Sequence, residues 1–148
     1  MISLKNYVEK RNGVPLGHSK SLSNMLKNSL GATSFDLLWK HWNPIWNYYL
    51  NRYVFEPLKT ICNYYVAIVL TFAVSGFLHD LAGLFINKKL SFFLTTWFII
   101  MGSIVAVFKR YQLVYTTHRK ALNYCYNLLC IIVSFFIAKC LLNQIHLY

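Results

Sequence analysis

Acidic residues are scarce in this chain of 148 residues. It carries four, Glu9, Asp36, Glu56 and Asp80, against fifteen lysines and arginines. Four scattered carboxylates exclude chemistry that needs several of them together, such as a two-metal phosphatase site. Charged residues of both signs make up 13% of the chain, whereas a soluble domain usually has roughly 25%. The chain is therefore not expected to be a soluble globule.

What the chain has instead is apolar and basic. Hydrophobic residues make up 57% of it, aromatic residues 18%, and the formal net charge is +11. The lysines and arginines are spread between long apolar runs and do not form the basic face that nucleic-acid binding needs. Basic loops between apolar segments are typical of membrane proteins that meet anionic lipid. The composition predicts a small membrane protein in contact with membrane lipid, with no nucleic-acid partner.

The cysteines and histidines show no metal-binding or disulfide pattern. The four cysteines form no C-x-x-C pair and lie in or beside apolar runs, where they are ordinary packing or lipid-facing side chains. No histidine spacing supports a zinc site, although a site built from His41, His79 and His118 stays open. The first thirty-odd residues are polar, so no signal peptide is expected there.

Three apolar stretches are long enough to cross a bilayer. They cover residues 61–86, 90–108 and 122–142, and about 20 apolar residues span a hydrocarbon core of about 30 Å as a helix. With the segment that precedes them they form one membrane domain over residues 34–148. The predicted fold class is all-α.

Residues 1–33 are polar and basic, and we expect them to form a cytosolic arm with little regular structure. Up to Lys59 the chain carries eight lysines and arginines, the loop at Lys88 carries two, and the loop 109–121 carries four. The positive-inside rule places the side with more basic residues in the cytoplasm. The sequence therefore predicts an integral membrane protein with a cytoplasmic N-terminus.

Residues 34–59 are aromatic and interrupted by prolines. Ser34 suits the N-cap of a short helix, and Asn43 suits the cap of a second helix that begins at Pro44 and ends before Pro57. Aromatic residues recur at steps of three and four, which predicts an aromatic stripe on one side. They are Trp39, Trp42, Trp46, Tyr49 and Tyr53. We expect a helix pair that lies at the membrane surface or re-enters the membrane.

The first span carries small and polar residues on one helical face. They are Thr71, Ser75, His79 and Gly83, spaced by four. Such a face packs against other helices or lines a cavity. A histidine within a span is a candidate functional residue, and His79 suits a general base on a hydroxyl group. A structural histidine bonded to a neighbouring helix is the alternative. Asp80 points about 100° away from His79 on a helix, so we expect it to pair with a lysine or arginine or to lie near the outer interface.

Two segments of the chain match motifs of a known family. The first, at residues 38–58, has aromatic and basic residues, a tryptophan, then an asparagine, and ends in Tyr-x-x-x-Pro-Leu. Its matching residues are Trp39, Lys40, Trp42, Asn43, Tyr53, Pro57 and Leu58. The second, at residues 71–81, contains Phe-x-x-Ser-Gly-x-x-His. Its matching residues are Phe72, Ser75, Gly76 and His79. In this order and at this distance, the two segments resemble the membrane-bound O-acyltransferase family, and within it the wax-synthase-like branch.

The resemblance implies transfer of an acyl group from a thioester, commonly acyl-CoA, to a hydroxyl acceptor such as a long-chain alcohol. It implies that His79 is the base that activates the acceptor and that Asn43 is a polar helper. The resemblance also implies that four further residues shape the substrate site: Trp39, Trp42, Ser75 and Gly76. No metal and no bound cofactor are implied, because acyl-CoA is a co-substrate and its thioester drives the reaction. Basic residues at the cytosolic face would meet the phosphates of such a donor.

The chain is short for this family, whose members usually have several hundred residues and many more membrane helices. The resemblance covers about residues 33–86, the later, catalytic part. Three helices hardly enclose an acyl chain and its acceptor, so as an enzyme the chain would act as a homo-oligomer or with a larger membrane partner. The alternative is a non-catalytic membrane subunit or a remnant of a split acyltransferase. A proton or solute carrier that uses His79 and Asp80 is a third interpretation, which their adjacent positions fit poorly.

Overall fold

In a computed structural model, which describes residues 2–88, 90–115 and 120–145, every regular element is a helix. In chain order the elements are α1 (Leu4–Asn12), α2 (Ser21–Leu30), α3 (Phe35–His41), α4 (Pro44–Leu50), a π-helical segment (Asn51–Phe55), α5 (Glu56–Ile61), α6 (Tyr64–Asn87), α7 (Phe93–Arg110) and α8 (Lys120–Ile145). The predicted all-α fold class is confirmed.

Three of these helices, α6, α7 and α8, are long and apolar enough to cross a membrane, as the apolar stretches predict. Helix α6 begins later than expected because Asn63 caps it, its side chain accepting a hydrogen bond from the Tyr65 backbone amide at 2.9 Å. Helix α7 begins at Phe93, after Ser91 accepts a hydrogen bond from the Phe93 amide at 3.3 Å. Side-chain hydrogen bonds to the first amides of the two helices, which hydropathy does not register, accompany both starts.

Helices α6 and α7 form an antiparallel hairpin whose backbones approach closely at two glycines. A Cβ atom on Gly76 would lie 2.7 Å from the carbonyl oxygen of Leu94, and one on Gly102 would lie 2.7 Å from Cβ of Phe72. Small residues at such points let two membrane helices pack without a gap. Helices α3, α5 and α8 and the π-helical segment pack against this hairpin.

Asp80 holds the start of α7, and within the described residues it pairs with no lysine or arginine, which was one of the two expectations from the sequence. It is 3% exposed, and its carboxylate accepts hydrogen bonds from the backbone amides of Leu94 at 3.1 Å and Thr95 at 2.7 Å. The Thr95 hydroxyl donates to it as well, at 2.6 Å. A carboxylate at a helix N-terminus satisfies amides that have no partner within the helix. The role of Asp80 is therefore structural.

The N-terminal arm is more ordered than its polar composition suggests, because it contains α1 and α2. Asn12 lies buried between them and donates to the carbonyl oxygen of Ser21 at 3.1 Å and to its hydroxyl at 2.6 Å. The C-terminal end of α2 is fixed by Asn127 of α8, which donates to the carbonyls of Leu30 at 2.8 Å and Ala32 at 2.9 Å. These long-range contacts order the arm against the apolar helices.

Helix α3 supplies the centre of the core. Phe35 and Leu38 are fully buried and pack with Ile68, Met101 and Val105 of α6 and α7. The Ser34 side chain caps α3 by accepting a hydrogen bond from the Leu37 amide, as predicted. The core therefore fixes α3, and with it Trp39 and Lys40, against the hairpin.

The helix that begins at Pro44 does not end before Pro57. It passes through the π-helical segment, in which the Glu56 amide donates to the carbonyl of Asn51, and continues as α5 to Ile61. A proline lacks the amide hydrogen and its ring clashes with the preceding turn of an α-helix. The wider turn of a π-helix relieves this clash, so the prediction that proline stops the helix was wrong.

Candidate functional site

An open cleft of about 370 Å3 runs along α6, between the α6–α7 hairpin on one side and α1, α3 and α4 on the other. One face of α6 lines it. The lining residues of this face are Tyr64, Ile68, Thr71, Phe72, Ser75 and His79. From Tyr64 to His79 the helix rises by about 22 Å at 1.5 Å per residue. Three of the four residues predicted to share a face therefore border a cavity, and Gly83 lies beyond its end.

His79 has one ring nitrogen engaged by the protein. Its Nδ1 lies 2.7 Å from the backbone carbonyl oxygen of Ser75. A carbonyl only accepts, so in the neutral ring Nδ1 carries the proton and Nε2 holds a lone pair. The side chain is exposed in the cleft, and among the described residues nothing bonds to Nε2. This is the arrangement that a general base requires.

Aromatic rings fix the orientation of the imidazole. The ring of Trp46 meets it edge to face, with centroids 5.9 Å apart and an interplanar angle of 87°, and the ring of Phe98 lies 5.2 Å away. Trp46 is itself held by a hydrogen bond from its Nε1 to the hydroxyl of Ser75 at 2.9 Å. Ser75 is 3% exposed. It thus joins α4 to α6 through its hydroxyl and holds His79 through its carbonyl.

Asn43 lines the same cleft as His79 and also caps α4. Its Oδ1 accepts a hydrogen bond from the Trp46 amide at 3.2 Å, as the sequence predicted. Its backbone has φ 37° and ψ 73°, a left-handed conformation that asparagine tolerates better than most residues. The described residues offer no acceptor to its Nδ2. The amide nitrogen is therefore the part of Asn43 that can meet a substrate.

Trp39 and Trp42 lie in the cleft wall, whereas the outer tyrosines of the aromatic stripe do not. The Trp39 ring packs against Phe72 at 5.1 Å and Trp42 at 6.4 Å. Its Nε1 is buried and has no hydrogen-bond partner in the part of the chain that the structure describes. Tyr49 and Tyr53 are 43% and 65% exposed and stack on each other at 6.2 Å. The tryptophans of the stripe therefore line the cleft, and its tyrosines lie outside the cleft.

Gly76 is the one predicted site residue that does not line the cleft. It is buried at the crossing of α6 and α7, where an added Cβ would also meet Phe98 Cβ at 2.8 Å. Its place gives it a packing role. It lets Phe98, which does line the cleft, reach the imidazole of His79.

The end of the cleft away from His79 is basic. Arg11, Lys40 and Lys109 line it together with Asp36, and Lys109 Nζ lies 3.6 Å from an Asp36 carboxylate oxygen. Burial first, and then the charges of Arg11 and Lys109, lower the pKa of Lys40 from its usual value. Three cations thus share this region with one carboxylate.

Sequence reasoning missed the contribution of α1 to the cleft. Tyr7 and Arg11 both line it, and the Tyr7 hydroxyl donates to Asn47 Oδ1 at 3.1 Å. Their spacing of four residues places them on one face of a helix, which was the available signal. This spacing was not used as evidence, because the arm was not expected to be helical.

The other histidines lie away from the cleft or outside the described residues. His41 Nδ1 lies 3.1 Å from the backbone carbonyl of Arg11, so His41 helps to hold α1 in place. His118, the third residue of the metal site left open by the sequence, lies outside the described residues. Within the described ranges, no group of three or more histidine, cysteine, aspartate or glutamate side chains is placed to hold a metal ion.

Comparison with known proteins gives one family. A sequence model of MBOAT, the membrane-bound O-acyltransferase family, matches residues 22–143. The match covers helices α2 to α8 almost completely and leaves out α1. Neither the curated proteins nor the solved structures give a significant match.

Proposed function

Because the chain belongs to the membrane-bound O-acyltransferase family, we propose that it transfers an acyl group from acyl-CoA to a hydroxyl acceptor such as a long-chain alcohol. Membership of the family implies O-acyl transfer in a membrane. The thioester donor, the alcohol acceptor and the wax-synthase-like branch are our proposal. The observation that carries it is His79, which lines the cleft, has Nδ1 bonded to the Ser75 carbonyl and has no hydrogen bond to Nε2 among the described residues.

We assign the base to His79. Its Nε2 removes the proton from the acceptor hydroxyl as the oxygen attacks the carbonyl carbon of the thioester. The new C–O bond forms and the C–S bond breaks, and the thiolate that leaves takes the proton back from His79. The products are an ester and a thiol, and the imidazole returns to its neutral form. The bond from Nδ1 to the Ser75 carbonyl keeps Nε2 as the nitrogen that exchanges the proton.

The proposed helper is Asn43, whose amide nitrogen can donate to the oxygen that becomes negative as the acceptor attacks. Its strained backbone and its capping bond fix the side chain at one place in the cleft. Trp39 and Trp42 provide apolar walls for the substrates, and an apolar wall limits the access of water, which would otherwise compete as the nucleophile. Ser75 positions His79 and Trp46, and Gly76 allows the helix packing behind them.

A partner in the membrane follows from the open side of the cleft. His79 is exposed on a helix long and apolar enough to span a membrane, and an ionisable side chain that faces lipid within a span is costly. We propose that a second copy of the chain or a larger membrane partner covers this side. We also propose that the N-terminus is cytoplasmic, because the basic end of the cleft, at Lys109, lies on the side that the positive-inside rule assigns to the cytoplasm.

The test is an acyl-transfer assay on the full chain in membranes. The chain receives a labelled long-chain acyl-CoA with a panel of acceptors, namely long-chain alcohols, a sterol and glycerol. We expect a labelled ester with long-chain alcohols and none from the His79→Ala variant. His18→Ala is the matched control, because His18 lies in an exposed loop and should leave ester formation unchanged.

Either of two results would contradict the proposal. Equal ester formation by wild type and His79→Ala would show that His79 is not the general base. No ester from the wild type, with the protein inserted and folded, would favour the alternative function of a non-catalytic subunit. In that case a larger membrane protein should co-purify with the chain.

A further inference from the structure

A second open groove, of about 380 Å3, lies between α2 and the first turns of α8, and it shares no lining residue with the cleft that contains His79. Five side chains of α2 and one of α8 line it: Leu22, Ser23, Leu26, Lys27, Leu30 and Tyr124. We propose that this groove binds a phospholipid with an anionic headgroup. One acyl chain lies along the leucines, and Lys27 meets the headgroup phosphate. The inference does not depend on the proposed acyl transfer.

Helix α2 packs against the rest of the fold through one face and leaves two of its leucines uncovered. Ser29, on the packed face, is fully buried, whereas Leu22 and Leu26 are 65% and 36% exposed. With Leu30 they are spaced by four residues, so the three leucines form a strip along one face of the helix. A single exposed leucine is ordinary on a protein surface. A continuous apolar strip on an amphipathic helix instead indicates a contact with a membrane or a partner.

Hydrogen bonds to α8 fix the depth of this strip. Asn123 donates to the carbonyl of Gly31 at 3.4 Å, and Asn127 donates to that of Leu30 at 2.8 Å. Counted from Lys120, the charged first residue of α8, these asparagines lie about 5 and 10 Å along the helix at 1.5 Å per residue. A helix at a membrane surface buries its apolar face to a depth of about 5–10 Å. The C-terminal end of α2 therefore lies at the level where headgroups meet acyl chains.

The floor of the groove continues into the exposed apolar face of α8. Tyr124 lies against the end of α2, since a Cβ atom on Gly31 would be 3.4 Å from its hydroxyl oxygen. Leu128 and Ile132 follow Tyr124 at steps of four residues on the same face of α8, and they are 43% and 50% exposed. Helix α8 is long and apolar enough to cross a membrane. An acyl chain can therefore enter the groove from the bilayer along an apolar surface.

The charge around the groove favours an anion. Lys27 lines the groove, is exposed and forms no ion pair with the other described residues. Lys20 precedes the helix, and no acidic residue occurs between Glu9 and Asp36. A cationic amphipathic helix is typical of contact with anionic lipid. The groove thus presents an apolar strip beside a cation, and a phospholipid presents an acyl chain beside a phosphate.

The experiment labels the groove from within the bilayer. The full chain is reconstituted in phosphatidylcholine nanodiscs that contain a trace of phosphatidylglycerol with a diazirine in one acyl chain. After irradiation, peptide mass spectrometry measures the label on residues 21–30 relative to the label on Leu129 and Val133 of α8, which are 55% and 45% exposed. We expect label at both places in the wild type.

The double variant Leu22→Gln/Leu26→Gln tests the apolar strip. Both side chains lose their contact with the acyl chain, so the relative label on residues 21–30 should fall by about tenfold or more, the factor for burial of one leucine side chain. Leu16→Gln is the matched control, because Leu16 is 44% exposed and lies outside the groove lining. This control should change the label by less than about twofold, as is usual for a surface substitution.

Lys27→Gln tests the headgroup contact. For this test the same diazirine is also placed in phosphatidylcholine, whose headgroup has no net charge. The wild type should take up about fivefold more label from phosphatidylglycerol than from phosphatidylcholine, the factor expected for one lysine near an anionic surface. Lys27→Gln should lose this preference. Lys5→Gln, which removes a charge from α1 outside the groove lining, should keep it.

Two results would overturn the proposal. Absence of label on residues 21–30, while α8 is labelled, would show that the strip does not meet lipid and would assign it to a second copy or a partner protein. Equal label from the two lipids in the wild type, or equal effects of Lys27→Gln and Lys5→Gln, would exclude an anionic headgroup. All the substituted side chains are exposed, so the variants should fold, which gel filtration and tryptophan fluorescence check. If the double variant does not fold, Lys27→Gln carries the test alone.

Discussion

Helices α6 and α8 are both long, apolar and interrupted by polar residues, yet they use these residues differently. In α8, Asn127 and Ser134 are fully buried. Asn127 donates to two carbonyls of the arm and accepts from the Tyr115 hydroxyl at 3.1 Å. Ser134 accepts from Trp97 Nε1 at 2.9 Å and donates to its own helix. In α6, by contrast, His79 lines the cleft, and its Nε2 has no hydrogen-bond partner among the described residues.

The difference teaches that polarity within a span does not by itself indicate function. A polar side chain whose atoms are all bonded within the protein fixes the packing of helices. One that keeps an atom available to a cavity can carry chemistry. Each substitution below changes either a polar residue that fixes packing or a residue at the cleft.

The largest effect is expected from His79→Ala. Loss of the base should lower the rate of acyl transfer by about 10²–10⁴-fold, the usual contribution of general acid–base catalysis. The free energy of unfolding should change little, because the side chain is exposed and makes one hydrogen bond. Initial rates and an unfolding titration in mixed micelles measure the two quantities. A variant that loses activity because it unfolds would place His79 in the same class as Asn127.

For Asn127→Leu the main expected effect is on stability and not on the chemistry of acyl transfer. The change removes partners from the carbonyls of Leu30, partly buried, and Ala32, buried, and from the Tyr115 hydroxyl. The free energy of unfolding should fall by about 3 kcal/mol, since an unsatisfied buried group costs about 1–3 kcal/mol. The same micelle titration measures it, with Leu128→Ala as control on the exposed face of α8. Normal stability would show that the arm is not held by this residue.

A smaller loss of stability is expected from a substitution at Gly76, where α6 and α7 approach most closely. Gly76→Ala places a methyl group within 2.8 Å of backbone atoms of Leu94 and Thr95, which should lower the free energy of unfolding by about 1–3 kcal/mol. Gly83→Ala is the matched control in the same helix. Nothing lies within 4 Å of its added Cβ, and alanine favours the helix by up to about 1 kcal/mol. Equal stability of the two variants would refute the close crossing at Gly76.

The smallest effect is expected from Ser75→Ala. The His79 ring is held by the backbone carbonyl of Ser75, which the substitution keeps. The variant loses the hydrogen bond from Trp46, which is worth about 1 kcal/mol. The expected result is a change of a few-fold in the rate of acyl transfer. A double-mutant cycle with Trp46→Phe measures the coupling, and a loss as large as that of His79→Ala would give the hydroxyl a direct part in the reaction.

Much of the local structure of α3, α4 and α6 was predictable from the sequence, because its signals are local. The length of an apolar run, the spacing of Thr71, Ser75 and His79, and the capping residues Ser34 and Asn43 all act within a few turns of helix. The predicted helical class, the three apolar helices and both caps are confirmed. The roles of His79 and Asn43 in catalysis stay predictions.

The features that the sequence did not reveal depend on contacts between distant parts of the chain. Asp80 accepts hydrogen bonds from amides fourteen and fifteen residues away, and Asn127 bonds to carbonyls more than ninety residues away. Arg11 reaches the cleft only because the arm folds onto the helices. No periodicity within a segment reports such contacts.

The most direct test of the contrast between the helices is the protonation state of the His79 ring. The full chain is labelled with ¹⁵N-histidine in nanodiscs, and the His79 signals are assigned by their absence from the His79→Gln spectrum. We predict that, when the ring is neutral, Nδ1 carries the proton and Nε2 does not. A neutral ring with the proton on Nε2 would contradict the account, because Nε2, the nitrogen that the Ser75 bond leaves available, could then not remove a proton from the acceptor.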